Sequence, residues 1–212
     1  MAGETTSIAT DFKIRVSDPT ALGVFGLSIV TLVASSQKMG WTEGTAFIIP
    51  WAVMLGSLAQ IWAAKMDFQN NNYFGSIVLG AYGLFWMAIS IHWFILNWFP
   101  DIGPEPAIAA HQLGFAYIGY LIFSLFIMVA AWEANKVFGA IITVICVLFI
   151  SLALAAFGVG GHAFSTVAAW SEFIISMLGF YACGAIFLNG FFGRPVLRLG
   201  KPLGLIKKAP AK

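Results

Sequence analysis

The chain has 212 residues and a formal net charge of +2; 60% of its residues are hydrophobic and only 9% are charged. Its mean hydropathy is +0.89, whereas about a quarter of the residues in a typical soluble domain are charged. This composition excludes an ordinary water-soluble domain and predicts an all-α protein built inside a membrane.

Six apolar stretches follow one another, each close to the ~20 residues that a helix needs to cross a bilayer. They are Thr20–Ser36, Gly44–Ala64, Phe74–Trp98, Ala110–Trp132, Val137–Phe157 and Thr166–Phe192. We therefore predict a six-helix membrane domain over residues 20–192, after a cytoplasmic segment of residues 1–19 and before a basic cytoplasmic tail of residues 193–212. The polar N-terminal segment shows no signal-peptide pattern.

The orientation of these helices follows from the basic residues. Ten of the eleven lysine and arginine residues fall on the side that holds both termini, and only Lys38 falls on the other side. Cytoplasmic segments carry the Lys/Arg excess, so both termini are predicted to be cytoplasmic. The basic tail fits this topology and attraction to anionic membrane lipids. A phosphoinositide or nucleic-acid patch is the less favoured alternative, and we expect no nucleic-acid partner.

The first span begins with the segment Asp18–Val24. Proline is well tolerated at the first helical position and aspartate is a favoured cap, so the pattern favours a plain helix start. The alternative is a half-buried helix N-terminus whose free N–H groups hold a carboxylate. The pattern Leu-Gly-x-aromatic-Gly-Leu occurs at Leu22–Leu27 and again at Leu79–Leu84, which indicates either a parallel repeat, as transporters often have, or chance similarity.

Polar groups inside the spans are few and isolated. Cys146 and Cys183 lie in apolar spans without disulfide or metal-ligand spacing. The three histidines, His92, His111 and His162, are not spaced as a metal or haem site requires. The spans also lack a nucleophile–base pair and a phosphate-binding loop. We therefore expect no cofactor, no metal site and no enzymatic activity.

Two polar side chains inside the spans are candidates for transport. Glu172 is the only acidic residue within a span, where a charge costs roughly 2.5–3.5 kcal/mol or more. A functional role and a position at the outer interface are equally compatible with its place in the sequence. Gln60, in the second span, is suited to hydrogen-bond either a neighbouring helix or a carboxylate. Together with scattered hydroxyl groups, this inventory favours weak passage of a small polar solute.

Several stretches resemble one known family. Gly56–Ala64 is similar to its Gly-Gly-x-Ala-Gln-x-x-Ala-Gly, Asn72–Gly75 to its Asn-Thr-Phe-Gly, and Tyr82–Trp86 to its Tyr-Gly-Ser-Phe-Trp. Asp18–Val24 keeps Pro, Leu and Gly of its Asn-Pro-Ala-Pro-Leu-Gly-Leu signature, and Phe192–Leu197 also looks like family sequence. On these motifs the chain resembles the acetate–succinate transporter family of bacteria, archaea and fungi.

The resemblance extends over residues 18–202 and implies a function. It implies a homohexamer in the inner membrane whose protomers each carry acetate, and in some members succinate, either as a channel or coupled to protons. It also implies a carboxylate site near the start of the first span. With Gln60 added, the candidate substrate-binding residues are Asp18, Pro19, Thr20, Ala21, Leu22, Gly23 and Gln60.

The resemblance further implies a hydrophobic constriction made by the first, third and fifth spans. By position its residues are Leu27, Tyr82 and Leu148. Leu27 replaces an aromatic residue of the family, so the constriction is either looser here or compensated by the nearby Phe25. Apolar constrictions block ions by excluding water, and such a ring favours a partly desolvated, methyl-bearing solute.

Departures from the family pattern leave alternatives open. Asp18 stands where the family has asparagine, and its charge would repel an anion unless it is protonated or used as a cap. This residue, together with the lack of Lys or Arg inside the spans, motivates a second hypothesis, a pore for a small neutral or cationic solute such as ammonia or urea. A membrane scaffold or sensor that transports nothing is the third hypothesis.

Overall fold

The computed structural model describes residues 17–99, 101 and 106–206, and this part of the chain is helical without strands. Two parts of the predicted organisation lie outside the described residues. They are most of the N-terminal segment (residues 1–16) and the end of the tail (residues 207–212). The elements in order are α1 (Thr20–Lys38), α2 (Ile49–Trp51), a π-helical segment (Ala52–Ala59), α3 (Gln60–Gln69), α4 (Tyr73–Trp98), α5 (Pro106–Ala134), α6 (Lys136–Ala156) and α7 (His162–Phe192).

The helices α2 and α3 and the π-helical segment between them follow one another without interruption, and we call this continuous helix the central rod. With the rod counted once, the prediction of six helical spans is confirmed. Five of the helices are long and apolar enough by themselves to cross a membrane. The rod starts five residues later than the predicted second span, because Gly44 has a positive φ of 72° and Pro50 lies in the first turn. Proline is favoured there since its missing N–H would have no helical partner.

The helices α1 and α4 approach the central rod closely at glycines. A Cβ atom added to Gly26 would overlap the backbone carbonyl of Leu55, and one added to Gly83 would lie 3.1 Å from the carbonyl oxygen of Ser57. In a membrane, helix association depends on this kind of close packing because lipid tails are as apolar as the side chains. The two glycines therefore bring α1 and α4 against the same stretch of the rod.

The same contacts explain the repeated pattern in the first and third spans. Gly26 and Gly83 occupy equivalent places in the two copies, and so do Gly23 and Gly80, whose nearest neighbours on the rod are Ala63 and Ala64. Both copies thus serve to pack a helix on the central rod. The repeat does not extend to the side chains beside the glycines, because Leu27 is buried whereas its counterpart Leu84 is 60% exposed.

The remaining helices close the bundle on the other side. α7 packs on α1 and α6, and α5 packs on α6. α4 meets α6 through large aromatic side chains: Phe149 of α6 lies 5.2 Å from Phe85 and 6.3 Å from Tyr82 between ring centroids. Aromatic pairs of this kind contribute about 0.5–1.5 kcal/mol beyond their buried area. As a result α1, α4 and α6 surround an interior space that side chains fill only in part.

The segment after α7 folds back over the helix ends. Glu133, at the end of α5, accepts hydrogen bonds from the backbone N–H groups of Gly204, Leu205 and Ile206. The amide oxygen of Asn189 accepts from the N–H of Val196 and of Leu197. These bonds fix the part of the predicted tail that the structure describes against the helix ends.

We predict that Gly26→Ala destabilises the fold by about 1–3 kcal/mol, since its Cβ would overlap a backbone carbonyl and force α1 away from the rod. Gly184→Ala, in α7, is the matched control because no atom lies within 4 Å of its added Cβ. Removing a helical glycine there is expected to be neutral or stabilising by up to about 1 kcal/mol. Thermal unfolding of both variants in the same detergent measures this, and equal stabilities would contradict the packing role of Gly26.

Candidate functional site

A cavity of about 220 Å³ lies between α1, α3, α4 and α6, at the end of the bundle that holds the start of α1. We call it the inner cavity, since this is the predicted cytoplasmic side. Its wall is mainly apolar and includes Val24, Val78 and Ile142. Its polar lining comes from the side chains of Thr20, Gln60 and Asn72.

A second, much smaller cavity lies further along the same helices. Its volume is about 20 Å³, and Thr31, Leu148 and Ile175 line it among other residues. A space of ~10–15 Å³ is the minimum that holds one water molecule, so this outer cavity has room for about one. The inner and outer cavities share two lining residues, Leu27 and Tyr82.

Leu27 and Tyr82 thus stand between the two cavities, and Leu148 lines the outer cavity beside them. All three side chains are buried, with exposed fractions of 8%, 3% and 4%. The structure therefore brings together on α1, α4 and α6 the three residues that were assigned to the constriction by position. We call these three residues the apolar layer.

Tyr82 is held in this layer by contacts on several sides. Its hydroxyl lies 2.9 Å from the Ser124 hydroxyl, which in turn donates to the carbonyl oxygen of Tyr120 at 2.6 Å. Because the Ser124 proton is used in that way, Tyr82 donates and Ser124 accepts. The Tyr82 ring also packs edge-to-face on Phe123, with centroids 6.0 Å apart. The phenol group is therefore satisfied on α5, and the ring presents carbon atoms to the cavities.

Phe25 does not lie in this layer. Its ring packs against Phe180 of α7 at a centroid distance of 6.4 Å, and it lines neither the inner nor the outer cavity. One residue in a helix turns the side chain by about 100°, so the neighbour of Leu27 points to a different helix. Leu27 therefore has no aromatic substitute from Phe25 in this structure.

The predicted substrate-binding segment is only partly at the cavity. Asp18 is exposed, and its carboxylate accepts a hydrogen bond from the N–H of Thr20 at 2.9 Å. Pro19 occupies the N-cap position and no side chain among the described residues caps α1, so the expected cap at Asp18 with proline at the first helical position is wrong. The Asp18 carboxylate instead accepts from the first N–H of the helix, one residue ahead of the N-cap. Of the segment Asp18–Gly23, Thr20 lines the inner cavity, whereas Leu22 is 49% exposed and Gly23 is buried against Leu79 and Ala63.

Gln60 is the fully buried polar residue of the inner cavity. Its amide nitrogen donates to the carbonyl oxygen of Gly56 at 2.6 Å, and its amide oxygen has no hydrogen-bond partner among the residues that the structure describes. An unpaired buried acceptor is costly, and the π-helical segment that ends one residue earlier marks the same place. π-helical turns occur frequently at functional sites. The Gln60 oxygen is therefore available to a donor group of a bound solute.

Two further residues at this end were not predicted as site residues. Asn72 caps α4 by accepting from the N–H of Gly75 at 3.2 Å, and its amide nitrogen donates to Asp67 at 3.0 Å. The other carboxylate oxygen of Asp67 is buried, and no group in the described part of the chain donates to it. The sequence did hold a signal for Asn72, since this residue lies in a motif that resembles the family. Asparagine is a favoured N-cap residue, and here it fixes the start of the helix that carries Tyr82.

Comparisons with known proteins match this architecture. A solved structure of the bacterial acetate channel SatP superposes with a TM-score of 0.80 at 25% identity, covering 88% of this chain and 100% of that chain. The succinate-acetate/proton symporter SatP of Escherichia coli K12 is 27% identical over 188 residues, which are 88% of this chain and 97% of the symporter. Ammonia transport outward protein 2 of Saccharomyces cerevisiae is 28% identical over 150 residues, which are 68% of this chain and 52% of the yeast protein.

These relatives agree with a multi-pass protein of the inner membrane, and the predicted all-α membrane fold is confirmed by the match to the channel structure. The sequence model of one family, described as GPR1/FUN34/yaaH, matches residues 3–200, nearly the whole chain. The chain therefore belongs to the GPR1/FUN34/yaaH family.

Proposed function

We propose that this protein transports acetate, with succinate as a further substrate, along the path formed by the inner cavity, the apolar layer and the outer cavity. The observation that carries the proposal is the placement of Leu27 and Tyr82 between two cavities that lie in line within one protomer. The relatives that match most of the chain, an acetate channel and a succinate-acetate/proton symporter, support this substrate class. We infer that the protein acts as a transporter and not as an enzyme.

The apolar layer fits a small carboxylic acid better than an ion. A carboxyl group with a pKa near 4 is almost entirely ionised at pH 7, and taking its charge into an apolar medium is expensive. The protonated acid is weakly polar, and its methyl group suits a wall of leucine and aromatic carbon. The path therefore works either with protonation of the substrate at the layer or by channel-like passage through a transiently hydrated layer.

The inner cavity supplies the polar partners for such a solute. The unpaired oxygen of Gln60 accepts the O–H of a protonated acid, and the Thr20 hydroxyl donates to a carboxylate oxygen. Of the predicted segment, only Thr20 enters this proposal together with Gln60; the Asp18 carboxylate is exposed and accepts from the backbone N–H of Thr20.

A channel for ammonia or a similar small solute is the second candidate. It is favoured by one observation, the unpaired acceptor of Gln60 in a cavity whose described lining has no lysine or arginine. The yeast relative named as an ammonia transport protein supports this alternative. Acetate and ammonium are distinguished by their charge, so a competition experiment separates the two candidates.

We further propose that protomers assemble into a homohexamer, as the family resemblance implies. The outward face of α5 is suited to contact lipid or a neighbouring protomer, since its side chains Phe115, Ile122 and Phe126 are 69%, 53% and 76% exposed. Exposed apolar area of this extent is stable only when lipid or protein covers it.

Uptake of labelled acetate into proteoliposomes tests the proposal, with and without an inward proton gradient and with empty vesicles as the control. We expect protein-dependent uptake that unlabelled succinate inhibits. Stimulation by the gradient would identify proton coupling, and independence of it would identify a channel. No excess over empty vesicles, combined with protein-dependent flux of ammonium, would contradict acetate transport and support the second candidate.

The apolar layer is tested by Tyr82→Ala. Removing the ring joins the two cavities, so we expect a longer monocarboxylate such as butyrate to gain severalfold in uptake relative to acetate. Tyr82→Phe keeps the ring and is expected to preserve the ratio of the two rates. Leu84→Ala is the matched control, because this residue lies on the same helix and faces outward. An unchanged ratio in Tyr82→Ala would show that this side chain does not set selectivity.

A further inference from the structure

An ion pair lies beyond the outer cavity, on the side opposite to the start of α1 and the end of α7. The ammonium group of Lys38 donates to both carboxylate oxygens of Glu172, each at 3.0 Å. The Glu172 side chain is only 3% exposed, whereas that of Lys38 is 23% exposed. The pair joins the last residue of α1 to α7, and Lys38 is the one basic residue that the predicted topology places on the outer side.

The pair continues the faces that line the transport path. On α1, Leu27 and Thr31 line the outer cavity, and Lys38 follows Thr31 by seven residues, two turns further out on the same face. On α7, Ile175 lines the outer cavity, and the buried Glu172 lies one turn further out. Both helices therefore lead from the apolar layer to the pair.

The loop after α1 fixes the position of Lys38. The ring of Trp41 packs edge-to-face on Phe173 of α7, with centroids 5.7 Å apart. The hydroxyls of Ser36 and Thr42 lie 2.9 Å apart and close the turn. The loop thus lies on the same part of α7 that carries Glu172, and the ammonium group is held at the outer end of the path.

Holding α1 and α7 together does not account for the ion pair of Lys38 and Glu172. A buried ion pair roughly breaks even against well-packed apolar residues, because both charges lose their hydration. α1 and α7 are already joined by close packing of Gly179 on Ser28 and by the hydrogen bond from the Ser176 hydroxyl to the carbonyl oxygen of Ser28, 2.8 Å long. A charged pair at this position therefore calls for another use.

The chemistry of the two groups suggests that use. An ammonium group has three donors, and two directions are occupied by the oxygens of Glu172. Lys38 is partly exposed and its hydrogen bonds among the described residues go to Glu172 alone, so its remaining donor can receive a group arriving from the outer solution. An oxygen of a carboxylate is the partner that forms the strongest hydrogen bond with such a donor.

We propose that Lys38, held in place by Glu172, is the outer binding group for the carboxylate substrate. This inference rests on the proposed function and assigns the recognition of the anion before it enters the apolar layer. Lys38 raises the local concentration of anions at the outer mouth. Glu172 cancels most of its charge, so the anion is held weakly enough to leave, as efficient permeation requires.

Exchanging the two charges tests this role. The double variant Lys38→Glu with Glu172→Lys keeps an ion pair between α1 and α7 but removes the cation from the exposed position. We expect thermal stability close to that of the wild type and a rise of about three- to tenfold in the half-saturation concentration for acetate supplied from the outer side. Acetate supplied from the inner side is expected to show an unchanged half-saturation concentration.

A single variant provides an independent arm if the exchanged pair does not fold. Glu172→Gln leaves Lys38 as an uncompensated cation, so the half-saturation concentration from the outer side is expected to fall. Glu43→Gln is the matched control, since Glu43 is exposed on the same side. This substitution also removes one negative charge, but at a position away from the ion pair.

The outcomes separate this inference from the proposed function. Wild-type protein that carries no acetate would overturn the proposed function and the inference with it. Wild-type transport with half-saturation concentrations that are unchanged in the exchanged variant, or in Glu172→Gln relative to Glu43→Gln, would overturn the inference alone and leave the ion pair as a structural contact.

Discussion

The close contact of α1 and α4 with the central rod is the constraint on which the rest of the structure depends. Gly26 lies against the carbonyl of Leu55, and Gly83 lies near the carbonyl of Ser57. Leu27 and Tyr82 directly adjoin these two glycines in the sequence, so the helix contacts decide how far apart the two side chains stand. A bilayer offers no hydrophobic force to press helices together, and the small residues supply the necessary approach.

In the path that we propose, the middle is apolar and both ends are polar. Gln60 and Thr20 lie on the inner side of the layer, and the pair of Lys38 and Glu172 lies on the outer side. A charge is stabilised at either end and has no partner in the layer between them. Such a barrier separates solutes by the cost of removing their water, which is lowest for a small acid that sheds its charge.

Much of the fold was predictable from the sequence, because uninterrupted apolar stretches and the one-sided distribution of basic residues report directly on spans and orientation. The three layer residues were placed by family resemblance, and the structure brings them together. The side of the helix on which Phe25 lies was not settled by the resemblance. The π-helical segment was also not predictable, since it differs from an α-helix in hydrogen-bond register and not in composition.

Long-range polar pairs were the least predictable features. Lys38 and Glu172 are 134 residues apart, and nothing local in either segment identifies the partner. The sequence left Glu172 undecided between a functional role and the outer interface; the structure buries it and pairs it. Asp67 was missed for a related reason, because its burial depends on the turn that leads into Asn72 and α4.

The central claim is that Leu27 and Tyr82 close the inner cavity, where substrate binds, from the outer side. The most direct test is to measure from which side of the membrane a residue in that cavity can be reached. Val24→Cys can be labelled with a small membrane-impermeant thiol reagent after Cys146 and Cys183 are replaced by serine. We predict labelling from the cytoplasmic side, little labelling from the outer side, and slower labelling in the presence of acetate. Equal labelling from both sides, or a rate that acetate does not change, would contradict a substrate-binding cavity closed by Leu27 and Tyr82.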